Sequence, residues 1–207
     1  MLALPRGGVP VGFEISAALD APLDVVLVRK IGAPGFEELA IGAIAEGDPI
    51  ETVIDSEAVT QLSVPADFLD REIDRQKQEI QRRRAAYCAG RAAIDVRGRT
   101  AIVVDDGVAT GATMRAALRA VRRRKPKRLV MAVPVAPQDT RERLRSEADE
   151  FLFVATPSYF EAISQFYADF HQLRDEEVTD LLARAAARFG RAGDGSPQPE
   201  SGPPQRR

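Results

Sequence analysis

Residues 101–113 read Ala-Ile-Val-Val-Asp-Asp-Gly-Val-Ala-Thr-Gly-Ala-Thr, and this stretch decides the predicted fold. The apolar, largely β-branched residues before Asp105 predict a buried strand over Thr100–Val104. A loop of small residues follows, and a helix is predicted from about Thr113 to Arg124. A strand that runs through such a loop into a helix is typical of parallel α/β sheets, whose ligands bind at the carboxyl ends of the strands.

The rest of the chain continues this alternation of strands and helices. Val11, Ile15 and Leu19 recur with the spacing of one helical face. The other predicted elements are a strand over 23–28, a loop over 29–38, a hairpin over 41–46 and 51–54, a long charged helix over 67–90, strands over 128–135 and 150–155, and helices over 138–148, 159–170 and 175–189.

These elements predict an α/β fold, in which a parallel sheet is flanked by helices. A single domain is expected over residues 1–189, with a small hood of about residues 31–65 inserted in it. Residues 190–207 are rich in Gly, Pro, Ser and Gln. That tail is predicted to be disordered, because it cannot bury enough apolar surface to fold.

Composition argues against several classes of function. A formal net charge of −2 over 207 residues gives no general attraction to nucleic acid or to an acidic membrane surface. The single cysteine, Cys88, excludes an intrachain disulfide framework and fits a reducing compartment. No apolar run approaches the roughly 20 residues of a membrane helix, and the N-terminus lacks the features of a signal peptide. A cytoplasmic protein with no membrane or nucleic-acid partner is predicted.

The loop after the central strand combines two kinds of polar group. Asp105 and Asp106 are adjacent carboxylates, which can accept hydrogen bonds from vicinal hydroxyls. Ala109–Thr113 enters a helix, where free N–H groups, the helix dipole and two Thr hydroxyls form an anion site. An ordinary strand–turn–helix would explain one Asp and one Thr, but not the whole pattern. The residues therefore favour a site for ribose 5-phosphate.

Ala101–Thr113 resembles, without a gap, the signature of type I phosphoribosyltransferases that binds 5-phosphoribosyl-1-pyrophosphate (PRPP). The likeness covers roughly residues 1–182. It implies the fold of that family, with Asp105 and Asp106 on the ribose hydroxyls. The further residues that it places on PRPP are Gly107, Ala109, Thr110, Gly111, Ala112 and Thr113. Relatives usually have a helical segment before the first strand, which predicts that an N-terminal piece is missing here or that the start is misassigned.

Two further loops support this resemblance. Pro5-Arg6-Gly7-Gly8 follows the first predicted strand, where the family binds the leaving pyrophosphate; the alternative is a tight turn into a helix. Arg29 and Lys30 begin a stretch that corresponds to a mobile basic loop of the family; the alternative is solvated surface charge. The resemblance implies catalytic roles for Arg6, Lys30, Asp105 and Asp106.

Other candidate residues carry weaker signals. Phe160 follows a predicted strand, near the place where an aromatic ring stacks on the base in purine phosphoribosyltransferases; a core position on a helix is an equal alternative. His171 and Cys88 are interpreted as structural, because one His and one Cys do not make a catalytic triad or a His-based zinc site. The basic run over 122–125 is interpreted as a helix end facing solvent.

The resemblance implies Mg²⁺-dependent transfer of the 5-phosphoribosyl group from PRPP to a nitrogenous, purine-like base, with release of pyrophosphate. Mg²⁺ would meet Asp105 and Asp106 only indirectly, through water or ribose. The family also commonly forms homodimers. Two alternatives stay open at this point: a non-catalytic regulator of the same fold that binds PRPP or a nucleotide, and a partner-binding domain that uses the helix over 67–90.

Overall fold

The computed structural model describes residues 1–47, 49–88 and 91–192, with the side chains of Glu37, Glu38 and residues 190–192 left out. The predicted turn at Asp48, the last two residues of the long charged helix and most of the predicted disordered tail lie outside this description. The strands are β1 Leu2–Ala3, β2 Asp24–Val25, β3 Val28–Ala33, β4 Phe36–Ala45, β5 Glu51–Ile54, β6 Thr100–Val104, β7 Arg128–Val135 and β8 Glu150–Ala155. The helices are α1 Gly8–Leu19, α2 Ser56–Gln61, α3 Ala66–Cys88, α4 Ala112–Arg123, α5 Thr140–Leu144 and α6 Asp175–Ala192, with a 3₁₀ helix at Ile163–Phe166.

Five of the strands form the predicted parallel sheet, in the order β2-β1-β6-β7-β8. The central strand β6 pairs with β1 on one side, where Ala3 lies opposite Val104, and with β7 on the other, where Val104 lies opposite Ala132. The strand order reverses on passing from β1 to β6. A ligand site is expected at such a switch point, outside the carboxyl ends of the strands.

The sheet separates two apolar clusters, as the alternation of side chains along a strand requires. On one face, Val9 of α1 packs in a cluster with Val25 and Val104. On the other face, Leu118 of α4 packs in a cluster with Met131. Helices therefore cover both faces of the sheet, and the α/β fold with a parallel sheet is confirmed.

A second, antiparallel sheet has the order β3-β4-β5. It corrects the predicted loop over 29–38, because those residues form most of β3, a turn and the start of β4. The turn is supplied by Pro34 and Gly35, and strand pairing across it satisfies backbone groups that a loop would leave to solvent. The predicted strand over 23–28 is also shorter, since only Asp24–Val25 pairs with β1. The predicted hairpin corresponds to β4 and β5, and the role of this region as a hood stays a prediction.

Two predicted helices are too long. Only Ile163–Phe166 of the predicted helix over 159–170 is helical, as a 3₁₀ turn, because its aromatic residues do not share one buried face: Tyr159 is 68% exposed and Phe170 45%. The predicted helix over 138–148 is confined to Thr140–Leu144.

Helix α3 belongs to the body of the fold. It packs against β3, β4 and α6, and it buries Ile80 and Tyr87. This burial argues against a helix held out for a partner. No helix in the described ranges has the length and apolar character needed to cross a membrane.

Candidate functional site

The carboxyl ends of β1 and β6 lie side by side, and they bring two of the predicted loops together. The N–H of Leu4 donates to the carbonyl of Val104 over 2.8 Å, so the chain after β1 runs beside Asp105 and Asp106. A Cβ atom on Gly7 would lie 2.5 Å from Cγ of Asp106, which leaves no room for any side chain. Gly8 opens α1, and the Pro5–Arg6 peptide bond is cis. The glycines are therefore required by close approach of the two loops.

Asp105 and Asp106 are half-buried and lie next to each other at the end of β6. The N–H of Asp106 donates to Oδ1 of Asp105 over 2.9 Å. Burial and the neighbouring Asp106 charge raise the pKa of Asp105 well above its usual range, and burial also raises the pKa of Asp106. Burial and mutual repulsion therefore disfavour full ionisation of the pair, and a cation or hydroxyl donors would stabilise its fully ionised form.

The loop that follows the two acids leads into the N-terminus of α4. Gly111 precedes this helix with φ of 85°, in the left-handed region that glycine adopts without strain. A cavity of about 160 Å³ lies on this loop. The predicted PRPP residues among its lining are Lys30, Asp105, Asp106, Gly107, Ala109, Thr110, Gly111 and Thr113. The structure thus collects these residues around one small cavity beside free helical N–H groups, while the half-buried Ala112 begins α4.

Arg143 of α5 holds this loop from outside. Its terminal nitrogens donate to the carbonyl oxygens of Ala109 and Thr110, each over 3.0 Å, and its Nε lies 3.1 Å from Asp139. Sequence reasoning missed this residue. The order of the strands places the β7–β8 connection near the loop, but nothing in the sequence distinguishes Arg143 from its basic neighbours Arg141 and Arg145.

Arg29 and Lys30 are adjacent in β3 and therefore point to opposite faces of the antiparallel sheet. Lys30 lines the 160 Å³ cavity, whereas Nε of Arg29 donates to Oε1 of Gln76 in α3 over 2.9 Å. Both residues also line a second cavity of about 280 Å³, with Pro5 and Thr113 among its other residues. Arg29 and Lys30 thus lie where the loop after β1 meets the start of α4.

A third cavity, of about 430 Å³, lies on the other side of Asp106. Its lining includes Arg6, Gly7, Tyr167 and Phe170. The hydroxyl of Tyr167 donates to the carbonyl oxygen of Asp106 over 2.6 Å, and burial raises the pKa of this hydroxyl to about 12. The rings of Tyr167 and Phe170 lie 5.2 Å apart. Asp106 therefore borders both the small cavity and this larger, aromatic one.

This site at the sheet's switch point agrees with the similarity of the chain to known proteins. The family model of the phosphoribosyl transferase domain matches residues 1–171. The chain belongs to this family. Two Mycobacterium tuberculosis proteins, from strains CDC 1551 and H37Rv, are each named "Putative phosphoribosyl transferase" and are 44% identical to it over 193 residues. That stretch covers 93% of this chain but 43% of theirs, so the chain spans less than half the length of these curated relatives.

A solved structure is similar over most of the domain. The crystal structure of TT1426 from Thermus thermophilus has a TM-score of 0.72 and 42% sequence identity, and the match covers 88% of this chain and 86% of that one. The resemblance stated from the sequence is therefore confirmed at the level of family and fold.

Three other predicted residues of this phosphoribosyl transferase domain have the following surroundings. Phe160 stacks on Phe166, with ring centroids 5.6 Å apart, and the 430 Å³ cavity is lined by Tyr167 and Phe170 instead. The role of Phe160 in base binding stays a prediction. Arg6 lines that cavity and lies 4.0 Å from Asp175. Cys88 is buried, which raises the pKa of its thiol to about 11.

Proposed function

We propose that this domain transfers the 5-phosphoribosyl group of PRPP to a nitrogenous base and releases pyrophosphate. The observation that carries the proposal is the position of Asp105 and Asp106 at the end of β6. They border the small cavity that leads to the N-terminus of α4, and Asp106 also borders the larger aromatic cavity. A sugar held by this carboxylate pair would have its phosphate on one side and its acceptor on the other.

The ribose 5-phosphate end would bind at the small cavity. The two ribose hydroxyls would donate to Asp105 and Asp106, which are acceptors when ionised. The phosphate would accept from the N–H groups at the start of α4 and from the hydroxyls of Thr110 and Thr113. These groups are present before the ligand binds, so little reorganisation is needed on binding.

The pyrophosphate end would face the loop after β1. Backbone N–H groups near Gly7 and Gly8, together with Arg6 and Lys30, would offset the charge that grows as the bond at C1 breaks. Breaking that bond builds oxocarbenium character at C1, so no protein nucleophile is required. The antiparallel sheet and α2, close to the predicted hood over 31–65, would cover the reacting centre and exclude water.

The carboxylate pair fits a divalent cation. Oxygen ligands suit Mg²⁺, and the pKa of Asp105 is raised by burial and by the neighbouring Asp106 charge, which a cation would offset. The described residues contain no group of three or more His, Cys, Asp or Glu side chains placed to hold a metal. Asp105 and Asp106 would therefore meet Mg²⁺ through water or ribose. When bound, Mg²⁺ would supply positive charge to the pyrophosphate.

The acceptor would bind in the 430 Å³ cavity. The faces of Tyr167 and Phe170 suit a flat, purine-like heteroaromatic ring, and Phe160 is the third aromatic candidate. Arg6 and Gly7 line the same cavity, which would bring such a ring to the loop that binds the leaving group. The proposal also includes a homodimer and a cytoplasmic location.

The test is a calorimetric titration of PRPP, with and without Mg²⁺, on wild type and on the double variant Asp105→Asn/Asp106→Asn. Mg²⁺-dependent binding is expected in wild type and should be lost in the variant. The matched control, Asp70→Asn/Asp74→Asn, removes two exposed acids of α3 and should bind as wild type does. Wild type that does not bind PRPP, or a double variant that still does, would refute the assignment.

Turnover would then be screened with purine and pyrimidine acceptors. Formation of a nucleoside monophosphate from any of them supports the transferase. PRPP binding without turnover on any acceptor would contradict the transferase and favour a regulatory protein of the same fold.

A further inference from the structure

Arg29 is fixed by a buried side chain of α3. Gln76 is only 3% exposed, and its Oε1 accepts from Nε of Arg29 over 2.9 Å. Among the described residues, this is the one hydrogen bond made by the Arg29 side chain. A guanidinium carries five N–H donors in a rigid fork, so a partner at Nε sets its plane and leaves the two terminal nitrogens for another acceptor.

The orientation of the Gln76 amide is set in turn by Glu72. Nε2 of Gln76 donates to Oε1 of Glu72 over 2.7 Å. Glu72 is 8% exposed, and Nε and one terminal nitrogen of Arg75 also donate to it, each over 2.8 Å. Because the amide nitrogen must face this carboxylate, the amide oxygen must face Arg29. Glu72 and Gln76, one helical turn apart, therefore specify a single direction for the guanidinium.

The space beside Arg29 is strongly cationic. The 280 Å³ cavity is lined by Arg29 and Lys30 of β3 and by Glu72, Arg75 and Arg83 of α3, and the carboxylate of Glu79 lies 2.7 Å from Nε of Arg83. Burial, followed by the charge of Arg83, lowers the pKa of Arg29. Arg75 pairs with Glu72 and Arg83 pairs with Glu79, so Arg29 and Lys30 supply the positive charge that would stabilise an anion in the cavity.

The cavity also adjoins both loops of the proposed PRPP site. Thr113 and Lys30 line it and the 160 Å³ cavity alike, while Pro5 belongs to the loop proposed for pyrophosphate. A ligand with one phosphate at the start of α4 and a diphosphate on its other end would meet Arg29 only at the diphosphate. Ribose 5-phosphate lacks that diphosphate and so would not make this contact.

We propose that Gln76 is a positioning residue, which orients Arg29 so that its terminal N–H groups bind the pyrophosphate end of PRPP. This inference rests on the proposed function. It gives α3, a helix with no part in the PRPP signature, a place in the binding of the leaving group.

The test compares two probes on each variant, both with Mg²⁺: inorganic pyrophosphate and ribose 5-phosphate, titrated by calorimetry. Gln76→Met keeps the length of the side chain but removes the acceptor for Arg29. We expect pyrophosphate binding to weaken about tenfold, as for loss of a hydrogen bond that involves a charged group, and ribose 5-phosphate binding to stay within about twofold. Gln81→Met, at an exposed position of the same helix, should change neither.

Two more variants separate positioning from general damage. Arg29→Lys keeps a positive charge without the fork and should weaken pyrophosphate binding about as much as Gln76→Met does. If Gln76 acts only through Arg29, Gln76→Met should cost nothing further in an Arg29→Ala background. If Gln76→Met does not fold, Gln76→Asn, whose shorter amide no longer reaches Nε of Arg29, replaces it in the same titrations with the same expected losses.

The contradicting results are distinct. Unchanged pyrophosphate affinity in Gln76→Met or Arg29→Lys, equal losses for both probes, or additive losses in the double variant would overturn the role of Gln76. Wild type that binds neither ribose 5-phosphate nor PRPP would instead overturn the proposed function and the inference with it.

Discussion

The two sides of Asp106 are built in different ways. On the side proposed for the sugar phosphate, which we call the phosphate side and define as residues 4–8, 105–111 and α5, main-chain groups set the geometry. The N–H of Leu4 donates to the carbonyl of Val104, and Arg143 donates to the carbonyls of Ala109 and Thr110. On the side proposed for the acceptor, which we call the acceptor side and define as residues 156–174, a largely irregular segment contacts the sheet through side chains such as Tyr167. Where main-chain groups would bind the ligand, few substitutions are tolerated in the residues that shape that main chain. Where side chains would bind the acceptor, substitution of those side chains can change which acceptor is bound.

The largest effect is expected from Gly7→Ala. A Cβ atom there would overlap the Asp106 carboxylate, so either the loop or the acid must move, and PRPP binding should fall by at least about a hundredfold, as for displaced catalytic groups. Gly98→Ala is the control, since its φ of 70° is strained for Ala but no atom lies within 4 Å of the new Cβ. It should cost about 1 kcal/mol of stability and leave binding intact. Calorimetry measures the affinity of both variants for PRPP, and thermal unfolding measures their stability. If Gly7→Ala bound PRPP as tightly as wild type, the close approach of Gly7 to Asp106 would be refuted.

A smaller loss is expected from Arg143→Met, which frees the carbonyls of Ala109 and Thr110. Ribose 5-phosphate affinity should fall about tenfold, because the loop must then be ordered by the ligand. Arg145→Met removes a neighbouring exposed arginine, paired only with Glu142 in the described structure, and should have no effect. Equal titration curves for Arg143→Met and Arg145→Met would show that the loop holds its shape unaided.

Tyr167→Phe tests the attachment of the acceptor side. Loss of the hydrogen bond to the Asp106 carbonyl should lower the free energy of unfolding by about 1 kcal/mol and speed hydrogen exchange in residues 159–173. PRPP affinity should stay within about twofold, because the phosphate side does not depend on this contact. The control is Tyr159→Phe, at a ring that is 68% exposed. A large loss of PRPP affinity in Tyr167→Phe would mean that the two sides are not separable.

The smallest effect concerns His171, which lies within 3.3 Å of Asp169 and 3.4 Å of Glu177. Hydrogen bonds to Asp169 first, and then to Glu177, raise the pKa of His171 above its ordinary value of 6.5. Any stability from these contacts is present below pH 6.5 and is lost as the pH rises through the higher folded pKa. As the chain has one histidine, NMR titration of its imidazole gives the pKa directly. A folded value at or below 6.5 would exclude these contacts in solution.

The phosphate side was largely readable from the sequence. The strand Thr100–Val104 has the predicted bounds, because a short β-branched run that ends in two acids has few other interpretations. The structure places the predicted PRPP residues after it, except Ala112, around one cavity, and their roles stay predictions. The sequence did not predict the contacts that other helices make with this region. Arg143 and Gln76 are ordinary polar residues of helices, and only the packing of those helices shows that they contact the 109–110 carbonyls and Arg29.

The acceptor side and the antiparallel sheet were harder to predict for a related reason. Gly32, Pro34 and Gly35 indicated a loop over 29–38, but pairing with β4 outweighs those local preferences. The aromatic residues over 159–170 indicated a helix, yet several stay exposed, so no buried face held that helix together. Local sequence patterns therefore fail to predict secondary structure where strand pairing or burial against distant parts of the chain determines it.

The contact of Gly7 with Asp106 has a consequence for protein engineering. Any library that varies position 7 perturbs the acid and the loop at once, so improved variants should be sought elsewhere. The segment over 156–174 offers exposed aromatic positions, such as Tyr159 and Phe170, whose replacement leaves the main chain of the phosphate side untouched. Selection for a new acceptor could therefore begin in this segment, with the residues of the phosphate side left unchanged.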